Sequence, residues 1–261
     1  MPGVGSVCLV GAGPGDPELL TLKALRMLGT ADAVVYDCLV SEAVLDLIPA
    51  GATRIDVGKR QGFHPVPQQE INELLLRLAR AGRRVVRLKG GDPFTFGRGS
   101  EEVEFLARHG IACTVVPGIT AASGCAAAFG IPLTHRGLAT GVRYVTGHCR
   151  ADATLDLDWR SLADPRTTLV VYMGRAHIGE ISDRLIEAGL PHDTPAAMVA
   201  RGTTPTQRHL IATLGTLSAS AARFADNGPV LFIIGAVVGL ADALGLAPEI
   251  AVAEPLHAAG A

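Results

Sequence analysis

The sequence has 261 residues, of which 48% are hydrophobic and 4% aromatic, and its 31 glycines and 16 prolines are typical of an α/β protein with many short loops. Its formal charge of −2 at pH 7 excludes the strong basic excess of a general nucleic-acid-binding domain. The five cysteines are widely spaced and form no C-x-x-C pair, which excludes a disulfide framework and a zinc site of that type. We expect a cytoplasmic protein, because the most apolar stretch, Val230–Val238, is too short to cross a bilayer and the sequence carries no signal-peptide pattern.

The first half of the chain alternates short β-type runs with helical segments. Val7–Val10 is an apolar run that ends in glycine, and apolar residues at helical spacing follow over Pro17–Leu28. The clearest helix is predicted over Gln68–Ala81, just before Gly82, where a helix would stop. Further strands are predicted at Ala33–Tyr36, Arg54–Val57, Val85–Leu88 and Cys113–Val116. This alternation predicts a mostly parallel sheet covered by helices on both faces.

The pattern lapses around Gly130–Gly141 and then restarts, which predicts a second α/β unit. Its strands are predicted at Arg143–Thr146, Thr168–Tyr172, Pro195–Ala200, His209–Thr213 and Val230–Ile234. We therefore predict an N-terminal α/β domain over 1–136, a C-terminal α/β domain over 137–246 and a flexible tail over 247–261. Two such domains leave a cleft between them, which is a preferred place for a small-molecule site.

The first glycine loop, Gly11–Pro17 (GAGPGDP), follows a predicted strand and precedes a helix. Its glycines let the backbone approach a ligand, and the start of a helix offers free amide donors. Asp37 follows about twenty positions later, after a second strand, and so imitates the ribose-binding acid of dinucleotide folds. A nicotinamide-dependent oxidoreductase is therefore one interpretation. Pro14 favours a cofactor without phosphate, because it removes an amide donor from the turn that would bind the pyrophosphate.

Two further loops stand after predicted strands. The second glycine loop is Lys89–Gly99 (KGGDPFTFGRG), and the third loop is Pro117–Ser123 (PGITAAS). Adjacent glycines and an Asp-Pro pair within so few residues indicate backbone placed against a ligand. Since the carboxyl ends of parallel strands share one edge of a sheet, all three loops are expected to border one crevice.

These loops, together with VGKR at 57–60 and VYMG at 171–174, resemble the motifs of the tetrapyrrole methylase family over about Val7 to Ala243. The resemblance implies the class III methyltransferase fold, with two α/β domains and a homodimer. It also implies that S-adenosyl-L-methionine binds in the cleft between the domains and leaves as S-adenosyl-L-homocysteine. The implied reaction is methylation of uroporphyrinogen III at C2 and C7 to give precorrin-2.

The resemblance assigns site residues by motif position. The cofactor contacts it implies are Pro14, Gly90, Gly91, Asp92, Thr95, Thr120, Ala121, Met173, Ala200 and Gly202. Position 95 is commonly aliphatic in the family, so Thr95 is a departure from its pattern. The resemblance also implies that Asp37 is the proton acceptor and Lys59 the proton donor. In an unrelated protein these two residues would be read as a loop-holding aspartate and a surface lysine.

A second catalytic pair and the substrate contacts follow from charge. Glu101 is expected in the first turn of a helix that starts near Ser100, beside Arg98 in the preceding loop; the alternative for Glu101 is a simple favourable charge at a helix start. A polycarboxylate substrate needs concentrated cations in a chain of slightly negative net charge, and arginine suits carboxylates especially well. We predict Arg98, Arg136 and His148 as substrate contacts. Methyl transfer from a sulfonium requires alignment rather than a metal, so no metal site is predicted.

Two other interpretations stay open within the same fold. One is a catalytically idle module that binds the ligand or regulates a partner, against which the intact cofactor loops and Met173 weigh. The other is a later precorrin methyltransferase with a different target carbon. The pathway that uses the product stays open too, because the routes to cobalamin, sirohaem and haem d1 all pass through precorrin-2.

Overall fold

The computed structural model describes residues 4–58, 66–148, 155–224 and 228–244. Its strands are β1 (Ser6–Gly11), β2 (Ala33–Tyr36), β3 (Thr53–Asp56), β4 (Arg84–Lys89), β5 (Cys113–Val116), β6 (Gly141–Thr146), β7 (Thr167–Tyr172), β8 (Pro195–Ala200), β9 (Arg208–Thr213) and β10 (Val230–Ile234). Its α-helices are α1 (Leu22–Gly29), α2 (Glu42–Leu45), α3 (Gln68–Arg80), α4 (Gly99–Arg108), α5 (Ala121–Ala128), α6 (Trp159–Leu162), α7 (Ile178–Glu187), α8 (Leu214–Arg223) and α9 (Ala241–Leu244). Every predicted strand is confirmed within a residue or two. The predicted tail over 247–261 lies outside the described residues.

The first sheet contains β1 to β5 in the order β3-β2-β4-β1-β5, and all its strand pairs are parallel, as predicted. Val86 and Leu88 of β4 pack in one cluster with α1 and α2, while Val85 packs in another with α3 and α4. Helices therefore cover both faces of this sheet. The loops after β4, β1 and β5 leave neighbouring strands at the same edge.

The second sheet has the order β6-β7-β10-β8-β9 and is mixed rather than mostly parallel. Only β6 and β7 pair in parallel; β7–β10, β10–β8 and β8–β9 are antiparallel. The expectation of a mostly parallel sheet therefore holds for the first half alone. The physical reason is clearest for β8 and β9: residues 201–207 join them, too few for a parallel crossover of a dozen residues or more. The predicted boundary at 136/137 falls between α5 and β6.

The helix predicted over Pro17–Leu28 is divided in two. Pro17–Leu19 forms a single 3-10 turn, capped by the Asp16 side chain, and α1 begins only at Leu22. Thr21 interrupts the helix because its hydroxyl accepts a hydrogen bond from Ala24 N and so acts as the N-cap. Among the described residues, no helix has the length and apolarity to cross a membrane.

Candidate active site

The three predicted loops meet through their backbones. Ala12 N donates to Lys89 O at 2.8 Å, and Gly13 and Gly91 exchange hydrogen bonds of 3.2 and 2.7 Å. A Cβ on Gly118 of the third loop would lie 2.2 Å from Gly91 O and 2.7 Å from Gly11 Cα. Such a contact is sterically impossible, so this junction of Gly11, Gly91 and Gly118 admits no side chain at position 118 without displacement of the neighbouring loops.

Asp92 fastens the second glycine loop to the third. Its Oδ2 accepts from Gly118 N at 3.1 Å, and its Oδ1 accepts from Phe94 N at 2.9 Å and from the Thr95 hydroxyl at 3.3 Å. Both predicted cofactor contacts, Asp92 and Thr95, are thus at the junction. Their polar side-chain atoms bond within the loops, which leaves backbone groups as the part of this segment that faces a ligand.

Tyr172, at the end of β7, connects the second sheet to the third loop. Its hydroxyl lies 2.6 Å from the Thr120 hydroxyl and accepts a hydrogen bond from Ala122 N at 3.0 Å. Burial raises the pKa of Tyr172 above its usual value, and the bonds from Thr120 and Ala122 oppose that shift. Sequence reasoning used Tyr172 only as part of the VYMG motif; nothing in the pattern indicated that its hydroxyl bridges to Thr120.

A second connection joins the loop after β8 to the first glycine loop and α5. Asp16 N donates to the Thr203 hydroxyl at 3.2 Å. A Cβ on Gly202 would lie 2.3 Å from the Cys125 sulfur, and one on Gly124 would lie 2.4 Å from Pro14 Cγ. The structure therefore brings Pro14 and Gly202 against adjacent residues of α5.

We call the cleft the region bordered by these three loops and by the loops after β7 and β8. Of the described non-glycine residues, those with positive φ all belong to its loops: Phe96, Arg98, Met173, Arg201 and Thr203. Each left-handed non-glycine residue costs free energy, and such strain concentrates where a site needs a particular shape. Ala200, which is buried at the end of β8, directly precedes the loop that contains the left-handed residues Arg201 and Thr203.

Gly91 lies against the start of α5 without a steric conflict. A Cβ there would lie 3.8 Å from Ala121 N and 3.9 Å from Thr120 Cα, which is ordinary van der Waals contact, unlike the Cβ of Gly118. Gly90, in contrast, packs on Leu39, since its Cβ would lie 2.6 Å from Leu39 Cβ. Thr120 and Ala121 are therefore neighbours of Gly91, at the amino-terminal end of α5.

Arg98 and Glu101 form the pair that the sequence suggested. Arg98 precedes α4, and its guanidinium donates from Nε and Nη2 to the two carboxylate oxygens of Glu101 at 2.8 and 2.7 Å. Both side chains are about half exposed. The bond to Glu101 raises the pKa of Arg98, and the bond to Arg98 lowers the pKa of Glu101. Glu101 therefore orients the guanidinium beside the second glycine loop.

The other predicted substrate contacts, Arg136 and His148, stand at opposite ends of β6. His148 follows β6, where Gly147 N donates to Tyr172 O at 2.7 Å, so His148 is exposed beside the loop that contains Met173. Arg136 is exposed in the turn closed by the His135–Ala139 bridge, before β6 begins. The six-residue strand β6, which is about 20 Å long, lies between them. Within one chain the structure thus groups His148, but not Arg136, with the cleft.

The structure describes the predicted proton acceptor, Asp37, but not the predicted proton donor, Lys59. Asp37 follows β2 at the carboxyl edge of the first sheet; its Oδ1 accepts from Leu39 N at 3.1 Å, and its Oδ2 lies 3.7 Å from Arg87 Nη2. Lys59 lies outside the described residues, so the predicted pairing of an acceptor with a donor stays a prediction.

A buried charge cluster behind Asp37 was missed by sequence reasoning. Glu102 of α4 is fully buried, and its carboxylate bonds Arg87 Nε at 3.1 Å, Lys89 Nζ at 3.2 Å and Gln68 Nε2 at 3.0 Å. Burial lowers the pKa of Lys89, as does the neighbouring Arg87 charge, and Glu102 opposes both effects. The one available signal was the placement of Arg87 and Lys89 on the same face of a strand that lies inside a covered parallel sheet.

We expect a Gly91→Val variant to bind the adenosyl ligand at least about tenfold more weakly than the wild type, because a β-branched side chain would project beside Thr120 and Ala121, where the backbone is expected to approach the ligand. Gly110→Val is the matched control: Gly110 has φ +72° against +66° for Gly91, and its Cβ would also meet nothing closer than ordinary contact. Both variants share the backbone strain, but Gly110 lies after α4, away from the cleft. Calorimetric titration with S-adenosylhomocysteine measures the difference. Equal affinity in a folded Gly91→Val protein would contradict the loop assignment.

Comparison with known proteins agrees with this geometry. The family model described as tetrapyrrole (corrin/porphyrin) methylases matches residues 6–218. A uroporphyrinogen-III C-methyltransferase of Paracoccus denitrificans is 56% identical over 95% of this chain and 86% of its own length. A siroheme synthase of Azotobacter vinelandii is also 56% identical, over 92% of this chain, but the match spans only 52% of that longer protein.

A solved structure shares both the fold and much of the sequence. The uroporphyrin-III C-methyltransferase of Thermus thermophilus, crystallised with S-adenosylhomocysteine, is 46% identical, with a TM-score of 0.77 over 90% of this chain and 100% of that one. The family model covers most of the chain, and the loops on which the motifs fall are those that converge in the cleft. This chain therefore belongs to the tetrapyrrole (corrin/porphyrin) methylase family.

Proposed function

We propose that this methyltransferase transfers methyl groups from S-adenosylmethionine to C2 and C7 of uroporphyrinogen III and yields precorrin-2 and S-adenosylhomocysteine. The observation that carries the proposal is the convergence of the three loops at the junction of Gly11, Gly91 and Gly118, in a chain that is 56% identical to a uroporphyrinogen-III C-methyltransferase. The methyl donor supplies an electrophilic carbon when it is bound. The chain's own task is to bind and align the reactants.

The residues around Gly91 fit S-adenosylmethionine. Glycine backbone beside the first amides of α5 suits a ligand that the backbone approaches closely. The side chains of Asp92 and Thr95 are already bonded to their own loop, so they shape the site rather than contact a charged group. We assign Pro14, Gly91, Thr120, Ala121 and Gly202 to the cofactor side of the cleft, and Gly90, Met173 and Ala200 complete the proposed set.

An apolar surface beside these loops suits the face of a tetrapyrrole. The Phe96 ring lies 4.9 Å from that of Tyr172, and the Tyr144 ring lies 5.8 Å from Tyr172 on the other side. Phe94 and Met173, which are 57% and 49% exposed, extend the surface. Exposed large apolar side chains that cluster in this way mark a binding site. Arg98 and His148 flank the surface and are proposed to bind substrate carboxylates.

Methylation of a pyrrole carbon leaves a cationic ring that must lose a proton. A carboxylate at the edge of the cleft both stabilises that charge and accepts the proton. Asp37 is our proposed acceptor, since its carboxylate lies at the carboxyl edge of the first sheet, where the segment Asp37–Val40 adjoins the second glycine loop through Leu39. Lys59 as proton donor and the homodimer are proposals that rest on the family resemblance.

We expect the purified protein to convert uroporphyrinogen III and labelled S-adenosylmethionine into a product heavier by two methyl groups, and to bind S-adenosylhomocysteine saturably. Mass spectrometry and calorimetry measure these two results. An idle binding module would bind S-adenosylhomocysteine but would not methylate uroporphyrinogen III. A later precorrin methyltransferase would also leave uroporphyrinogen III unmodified. Saturable binding of NAD in place of S-adenosylhomocysteine would indicate the oxidoreductase and overturn the proposal.

A further inference from the structure

Two aspartates bracket strand β2, and each is paired with an arginine of the neighbouring strand β4. Asp32 precedes β2 and is bound by Arg84 at the start of β4, with Arg84 Nη2 2.7 Å from Asp32 Oδ1. Asp37 follows β2, and Arg87 Nη2 lies 3.7 Å from Asp37 Oδ2. The first pair is exposed at the amino edge of the sheet. The second is at the cleft edge, and its arginine is buried.

The Arg87 guanidinium is fixed from three directions. Its Nε donates to Glu102 at 3.1 Å, and its Nη1 donates to the carbonyl oxygens of Leu88 and Val35 at 3.0 and 3.4 Å. Only Nη2 is directed at Asp37. A buried charge requires such partners, and here they also leave the guanidinium without freedom to follow a moving carboxylate.

Asp37 is held by two unlike contacts. Leu39 N binds Oδ1 as part of a local turn, while Arg87 lies against Oδ2 from inside the sheet. The turn alone fixes one oxygen and lets the carboxylate rotate about it. Arg87 Nη2 lies 3.7 Å from the second oxygen, an ion-pair distance rather than a hydrogen bond, so the buried guanidinium attracts that oxygen toward the interior of the first sheet.

We propose that Arg87 is a positioning residue for the reaction: fixed by Glu102 and two backbone carbonyls, it holds the Asp37 carboxylate in the orientation in which it accepts the proton. This inference deepens the proposed function and rests on the role of Asp37 as the proton acceptor. Glu102 acts one step further back, because its buried carboxylate bonds both Arg87 and Lys89, and Asp37 supplies the second negative charge beside them.

A double-mutant cycle of Arg87→Met with Asp37→Asn tests the proposal. Arg87→Met leaves Lys89 paired with Glu102, so no buried cation of the cluster loses its counter-charge. We expect Arg87→Met to lower kcat by on the order of tenfold to a hundredfold, with KM for S-adenosylmethionine and the affinity for S-adenosylhomocysteine unchanged. In the Asp37→Asn background the same substitution should have no further effect on kcat, since residues that act as a unit are not additive.

Arg84→Met is the matched control, because it removes an arginine–aspartate pair from the same two strands at the other edge of the sheet. It should leave kcat at the wild-type value. Arg87→Lys keeps the buried charge and covers the case in which Arg87→Met fails to fold; it should restore only part of kcat, since an ammonium lacks the fork that reaches Glu102 and Asp37 together.

The outcomes separate the two proposals. If Asp37→Asn lowers kcat and Arg87→Met costs the same factor in both backgrounds, or costs nothing, Arg87 does not act through Asp37 and the positioning proposal is overturned alone. Wild-type kcat in Asp37→Asn would overturn the role of Asp37 in the proposed function and the positioning role with it. Arg87→Lys at full wild-type kcat would also count against the positioning role, because charge alone would then suffice.

Discussion

Replacement of Glu102 by leucine is expected to lower the free energy of unfolding by about 3–5 kcal/mol, because Arg87 and Lys89 lose the buried carboxylate that bonds both of them and keep only the partly exposed Asp37 as a counter-charge among the described residues. Urea denaturation followed by circular dichroism measures the loss. Glu102→Gln keeps an acceptor but not the charge, so its destabilisation should be smaller.

Glu104→Leu is the control for this expectation. Glu104 is on the same helix, but its side chain is 63% exposed and its partner Arg108 is 70% exposed, so the pair is worth about 0–1 kcal/mol. Equal unfolding midpoints for Glu102→Leu and Glu104→Leu would show that the interior cluster tolerates unpaired cations. Glu102 would then not be needed to balance the charges of Arg87 and Lys89.

Loss of the Arg98 guanidinium should lower turnover of the tetrapyrrole and leave cofactor binding unchanged. One charged hydrogen-bonding partner is worth roughly 1.5–3 kcal/mol, so Arg98→Leu should lower kcat/KM for uroporphyrinogen III by on the order of tenfold to a hundredfold. The affinity for S-adenosylhomocysteine should stay near the wild-type value, since the glycine junction is untouched. Arg98→Lys should recover only part of the loss, because an ammonium lacks the planar fork that Glu101 binds through two nitrogens.

Arg108→Leu is the matched control, because Arg108 also pairs with a glutamate of α4 but lies at the far end of that helix. Turnover at the wild-type rate by a folded Arg98→Leu protein would place the tetrapyrrole elsewhere. The same assay on Arg136→Leu tests the sequence prediction for that residue. We expect a smaller loss there, since Arg136 is separated from His148 by the length of β6.

The sequence sufficed for the strands and for the convergence of the loops. Apolar runs of four to six residues between glycines and helical segments identify strands, and parallel strand order brings the first glycine loop beside the second and third. The short connection 201–207 already implies an antiparallel β8–β9 pair, but the direction of β10 could not be predicted, because a buried strand has the same composition in either orientation.

The buried charges of Arg87, Lys89 and Glu102 could not be predicted from the sequence, for a different reason. In R-V-V-R-L-K, Arg87 and Lys89 alternate with Leu88 and look like the solvent-facing half of a strand. The position of β4 inside the sheet and the bonds to Glu102 show instead that this face is covered by α3 and α4. The bond between Tyr172 and Thr120 joins residues far apart in the chain, and hydroxyl contacts of that kind leave no periodic pattern.

The junction of Gly11, Gly91 and Gly118 restricts how this protein can be re-engineered. A side chain at position 11 or 118 must displace the backbone of another loop, so libraries randomised at those two positions would yield misfolded proteins rather than altered selectivity. Diversity is better placed at Met173, whose side chain is about half exposed. The three loops therefore form one structural unit that must be kept or transferred as a whole. Changes that accommodate new donor analogues belong in the residues around it.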